Sequence, residues 1–141
     1  MKLLLTIAFF CICRFSRAQE AFRKNRWSTN TVIGLNDFKF SSAPTDIILD
    51  TLSRHYPYGY ITEFLPDNQF ISYNIGPCGN ECRITTKGNY TATKHTIELF
   101  VKSLSYAKDC KDMPLEEIDT SLGVYRWQQQ GSRLFLTPIQ K

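Results

Sequence analysis

The chain has 141 residues, seventeen Lys and Arg against thirteen Asp and Glu, and 13% aromatic side chains. That length suits a single domain with one core. The charge is too weak and too scattered to form the basic stripe that nucleic acid or an anionic membrane would select.

Residues 1–18 read as a secretory signal peptide. One cation at Lys2 is followed by the apolar run Leu3 to Cys13, and small residues stand at Ser16 and Ala18. A membrane-spanning helix needs about 20 apolar residues, and Arg14 and Arg17 cut this run short. Bulky Phe10 and Ile12 before Cys11 and Cys13 argue against lipidation. Cleavage after Ala18 leaves a single domain over 19–141, secreted or periplasmic, with no stable membrane insertion. Lys2, Arg14 and Arg17 leave with the signal, so fourteen cations face thirteen acids and the net charge falls to about +1. Arg23-Lys24-Asn25-Arg26 is then the basic cluster at the mature N-terminus, where a solvated arm is the ordinary reading.

From there the hydrophobic period is 2, which predicts strands. Trp27 to Ile33 reads as the first, and Asp37 to Phe40 as a short one. Residues 45–54 permit either a short helix capped at Thr45 or a strand. Three hairpins follow. The first joins Tyr60–Leu65 to Phe70–Ile75; a turn centred on Asp67-Asn68 sets Phe64 against Ile71 and Thr62 against Tyr73. The second joins Cys82–Ala92 to Ile97–Lys102 through Lys94-His95. It sets Ala92 against Ile97, Tyr90 against Leu99 and Gly88 against Val101, with a bulge near Lys102-Ser103 where the apolar parity slips. The third turns at Gln130-Gly131 and sets Tyr125 against Leu136 and Trp127 against Leu134. Consecutive antiparallel hairpins predict an all-β fold, a small up-and-down barrel that removes its own edges, with a sandwich second.

The cysteines left after cleavage are Cys78, Cys82 and Cys110, which in an oxidising compartment suggests one bridge and one free thiol. Extending the second ladder brings Cys78 opposite position 111, so Cys78–Cys110 is the first candidate, Cys82–Cys110 the second and Cys78–Cys82 the last. A zinc site would lack its fourth ligand. No catalytic set appears: there is no Gly-x-Ser-x-Gly, phosphate loop or His-Glu-x-x-His. His95 falls in a turn, and His55 among tyrosines reads as loop packing. The sequon Asn89-Tyr90-Thr91 lies in a predicted strand and reads as accidental. The sequence therefore predicts no enzyme, cofactor or metal.

The chain carries Asn25-Arg26-Trp27, then Glu63-Phe64-x-x-Asp67-x-x-Phe70, Cys78-Gly79-Asn80-Glu81-Cys82, Gly88-Asn89-Tyr90-Thr91 leading into Thr96-Ile97-Glu98-Leu99, and a last hairpin ending Leu134-Phe135-Leu136. This layout resembles the small lipocalin-like domains of exported bacterial proteins, within the calycin-type barrels. The resemblance implies binding of a small apolar ligand by a monomer. The cavity would be lined by Tyr60, Phe64, Ile71, Tyr73, Tyr90, Leu99, Tyr125 and Trp127. The competing expectation is that these side chains fill a solid core and that exposed loops such as 76–81 meet an envelope or extracellular protein partner, as an interaction or inhibitor module.

Overall fold

The computed structural model describes residues 17–37, 39–52, 58–78, 82–107, 110 and 115–139. Residues 1–16, most of the expected signal peptide, and His55 lie outside the described residues. A helical segment at 17–23 leads into β1 (Arg26–Thr29), β2 (Leu35–Asn36), β3 (Lys39–Phe40), β4 (Ile47–Thr51), β5 (Gly59–Leu65), β6 (Gln69–Ile75), β7 (Ile84–Ala92), β8 (Thr96–Tyr106), β9 (Glu116–Gln130) and β10 (Arg133–Pro138). Eight of these close an antiparallel barrel in the order β1-β4-β10-β9-β8-β7-β6-β5, while β2 and β3 pair separately. The all-β closed barrel expected from the alternation is the fold. Strands β5 to β10 run as an uninterrupted meander. At one place the order departs from simple succession: β4 stands between β1 and β10, so β1 pairs with both β4 and β5.

The helix allowed near 45–54 is strand β4, because Ile47 and Leu49 are both buried while Ile48 and Asp50 are only half-buried, a period of 2. The first strand stops at Thr29, short of Ile33. The second hairpin has the expected register, Ala92 against Ile97 and Gly88 against Val101, and Lys102 is the extra residue between Gly88/Val101 and Lys87/Ser103. The first hairpin is one residue out of the expected register. Phe64 faces Phe70 and Thr62 faces Ser72, because the loop holds three residues, Pro66 to Asn68, with Asp67 and Asn68 left-handed at φ 62° and 59°. The third is two residues out. Gly131 and Ser132 form the turn, Gly131 at φ 60°, so Trp127 faces Leu136 and Tyr125 faces Pro138. The two-residue shift keeps each side chain on its expected face.

The barrel interior is filled from both ends. From one end Phe22 enters, fully buried against Phe64, Tyr90 and Trp127, with ring centroids 5.0, 6.3 and 5.3 Å away. From the other the loop after β1 folds inward. Ile33 is fully buried, its N–H donates to Ser72 Oγ at 3.0 Å, and its carbonyl accepts from Thr86 Oγ1 at 2.7 Å. Thr62 and Ser72 share a further hydroxyl bond of 2.8 Å. Ser72, braced by Thr62, and Thr86 thus satisfy the buried main-chain N–H and C=O of a residue that no strand pairs.

At Gly88 the backbone of β8 passes so close that a Cβ would stand 2.0 Å from the Phe100 carbonyl oxygen and 2.7 Å from the Phe70 ring. The carbonyl cannot withdraw without breaking the β7–β8 ladder at its bulge, and the Phe70 ring is itself buried in the core. Gly88→Ala is expected to cost at least about 3 kcal/mol, read from the urea midpoint; a loss under about 1 kcal/mol would contradict this packing.

Candidate functional site

The two ends of the barrel differ in construction. The turns after β5, β7 and β9 and the helical segment 17–23 gather at one end. The connections after β6 and β8 and the loop 30–46 gather at the other.

At the second end a disulfide joins Cys82 to Cys110, with Cα atoms 5.1 Å apart, and Cys78 is an exposed free thiol. This corrects the expected Cys78–Cys110 pairing. The bulge at Lys102 advances the ladder so that Ala107 N–H donates to the Arg83 carbonyl at 2.8 Å, and the chain then turns, Cys110 N–H donating to the Ala107 carbonyl at 2.9 Å. Cys82, the neighbour of Arg83, is thereby the cysteine within reach. Asn74 fixes the same loop: its amide donates to the Cys82 carbonyl at 3.1 Å, and its Oδ1 accepts from Ile84 N–H at 2.6 Å.

These ties shape an open, mainly apolar groove of about 650 Å³ between Tyr58, Tyr60, Ile75, Pro77, Ile84 and Tyr106. Tyr58 is 49% exposed, and Leu115, on the neighbouring connection, is 61% exposed. A second, more polar hollow of about 310 Å³ adjoins it between Asn30, Asp37, Asp46 and Tyr60. Asn30 is committed there to the backbone, accepting from Ile48 N–H and donating to the Asp46 carbonyl.

The six aromatic residues expected to surround a ligand are not brought round one void. Phe64, Tyr90 and Tyr125 are core. Trp127 packs on that core at the helical end and donates from Nε1 to the Thr93 carbonyl at 2.9 Å. Tyr60 lies at the opposite end in the rim groove. Tyr73 has the opposite parity to Ser72 and joins a network of charged groups. Its hydroxyl accepts from Arg26 Nη2 at 2.6 Å and donates to Glu63 Oε1 at 2.7 Å, Arg26 pairs with Glu63 at 3.2 Å, and the Arg83 guanidinium lies 4.4 Å from the ring centre. Ile71, expected inside, pairs with Glu63 and Lys87 and is half-buried; Leu99 is fully buried.

Two phenols are displaced from their ordinary range. Burial raises Tyr125. Burial first, then the bond to Glu63, raise Tyr73, and Arg26 pulls the other way. The Arg133 guanidinium, 2.8 Å from Asp50, holds that exposed carboxyl below the usual range. Among the described residues no three His, Cys, Asp or Glu side chains come together as a metal cluster. No helix among them is long and apolar enough to cross a membrane.

Sequence reasoning missed Phe22, Ile33 and the hydroxyl trio. The available signal was Thr62, Ser72 and Thr86 themselves, polar residues recurring at inward positions of otherwise apolar strands. No family model, curated protein or solved structure matches the chain.

Three outcomes follow from this geometry. Replacing Cys82 and Cys110 together by Ser is expected to cost about 3 kcal/mol of stability, since the bridge closes a 28-residue separation. Cys78→Ser should leave the urea midpoint unchanged and remove the thiol that reacts in the native state. Because both raised phenols keep their protons in the folded state after the unfolded chain has lost them, stability is retained below about pH 10 and falls as pH rises through the two folded-state values. Tyr125→Phe should remove a late step from the tyrosinate absorbance titration and flatten that alkaline decline; an unchanged titration would show Tyr125 to be solvated.

Proposed function

We propose that the protein is an exported, non-catalytic interaction domain that meets a protein partner at its disulfide-tied end. The observation that carries this reading is the filled barrel. With Phe22 seated from one end and the Ile33 N–H and C=O both hydrogen-bonded from the other, buried side chains of the described residues occupy the axis, and recognition falls to the ends. The disulfide-tied end presents the features of a partner surface. Tyrosines rim an apolar groove, Tyr58 stands exposed in it, Leu115 is exposed on the connection after β8, and a covalent bond with the Asn74 clamp fixes the chain at Cys82, which reduces the entropy lost on association. Export is supported by the signal-like run at 1–18 and by a disulfide, which persists in oxidising compartments. Kinship with lipocalin-like domains is likewise our proposal. Its support is an eight-stranded closed barrel with Trp27 opening the first strand; the insertion of β4 between β1 and β10 marks a departure from plain succession.

A small apolar ligand is the second reading. It is favoured by the groove between Tyr60, Ile75, Ile84 and Tyr106, whose volume falls within the range of small-molecule sites.

A photoreactive amino acid at position 58 or 115 should capture one defined protein in the native compartment, and the same group at position 94 or 20, at the opposite end, should not. Capture should weaken at least tenfold when Cys82 and Cys110 are both Ser. Equal capture from both ends, or none from the rim, refutes the partner reading. A bound small molecule in the native mass spectrum, lost with Ile75→Asp, would favour the second.

A further inference from the structure

Three of the six aromatic side chains expected to line a ligand cavity do form a box at the helical end, and its occupant is the chain's own ring. Phe64, Tyr90 and Trp127 surround Phe22 at tilted or edge-on angles of 60°, 53° and 73°. We propose that this box is a binding site for a flat aromatic group of about phenyl size, with Phe22 as an internal surrogate that must swing out before the ligand enters.

Several features of the fold support that assignment. Phe22 belongs to no barrel strand. It is carried on the short segment 17–23, whose residues line two open hollows of about 370 and 680 Å³. Few polar bonds tie the segment to the barrel. Arg23 Nε donates to the Tyr90 hydroxyl and Arg23 Nη2 to Asn68 Oδ1, both at 3.0 Å, and Trp27 Nε1 donates to the Phe22 carbonyl at 2.8 Å. Arg23 is itself exposed, so its bonds compete with water.

The opposite plug is held quite differently, through both the N–H and the C=O of the buried Ile33. The helical end is therefore the end that can open without unpairing a strand. A segment that pairs with no strand, held by the Phe22 ring, Ala18 and three polar bonds of which two come from an exposed arginine, lies toward the low end of local stability. The rings left behind favour a flat guest, because edge-to-face contacts with Phe64 and Trp127 can be remade by any ring of that size. The Tyr90 hydroxyl, released from Arg23, would then be free to bond a polar substituent, so a phenol or an indole fits better than an aliphatic chain. This site is independent of the disulfide-tied rim and stands or falls without it.

The test uses p-cresol and the native-length protein, with binding read by calorimetry and by saturation-transfer NMR. Phe22→Ala empties the box and is expected to bind p-cresol at least tenfold more tightly than the unaltered protein. Arg23→Ala keeps every ring but loosens the segment, and is expected to tighten binding several-fold. A folded Phe22→Ala protein with no gain overturns the proposal. Should that variant fail to fold, Arg23→Ala decides: tighter binding supports the site and unchanged binding overturns it. Hydrogen exchange gives a second reading on the unaltered protein. Amides of 20–24 exchanging well before those of β7 and β8 support an opening segment, and exchange only together with the barrel overturns it.

Discussion

The structure rests on how the main-chain N–H and C=O of Ile33 are received inside the barrel. A backbone N–H and C=O buried without partners would each cost free energy comparable to a lost hydrogen bond. Ser72 and Thr86 supply both partners from neighbouring strands, and Thr62 braces Ser72. With those hydroxyls in place the loop after β1 can enter the barrel and fill it. An apolar side chain at position 72 or 86 would leave the loop's peptide unsatisfied and favour expelling it. Polar residues in the core here permit a solid interior, where apolar ones of the same size would work against it.

Filling the interior also decides the character of the two ends. One end is held by a covalent bond and an asparagine clamp that fix loops over a tyrosine-lined groove. The other is closed by a ring on a short segment and by an exposed arginine. The first is covalently tied and open, the second sealed by a buried ring. Charge does not separate them strongly, since the described ion pairs, Arg26–Glu63 and Arg133–Asp50, are exposed surface pairs of small individual weight.

What was legible in the sequence followed the range of the interactions involved. The β7–β8 hairpin could be read residue by residue because its two sides agree on one inward face and its bulge shows as a slip of parity after Val101. The β5–β6 register missed by one because Asp67 and Asn68 adopt left-handed conformations in a three-residue loop, where Pro-Asp-Asn equally suits a shorter turn. That single step exchanged Tyr73 for Ser72 as the inward residue, and the expected cavity lining changed with it. The cysteine pairing missed for a related reason, since the chain turns between Ala107 and Cys110 where a straight ladder does not. Phe22 was hidden because it stands beside Arg23-Lys24-Asn25-Arg26, a composition that reads as a solvated arm. The place of β4 between the first and last strands is a long-range pairing that no local pattern carries.

That placement bears on how the chain reaches its fold. The seam of the barrel is the β4–β10 ladder, where Asp50 and Arg133 meet across 83 residues of sequence. The meander β5 to β10 is built from neighbours, but the seam requires nearly the whole domain to be in place, which gives the barrel a high contact order and a slow final zippering. The Cys82–Cys110 bond lies within the loop being closed and short-circuits 28 of its residues, leaving an effective path of about 55. On the logarithmic scaling of loop entropy that gain is only a few tenths of a kcal/mol. The bridge therefore does little for the seam. Its effect is local, on the loops it holds at the rim, and the seam forms at a rate set by chain topology whether or not the thiols have been oxidised.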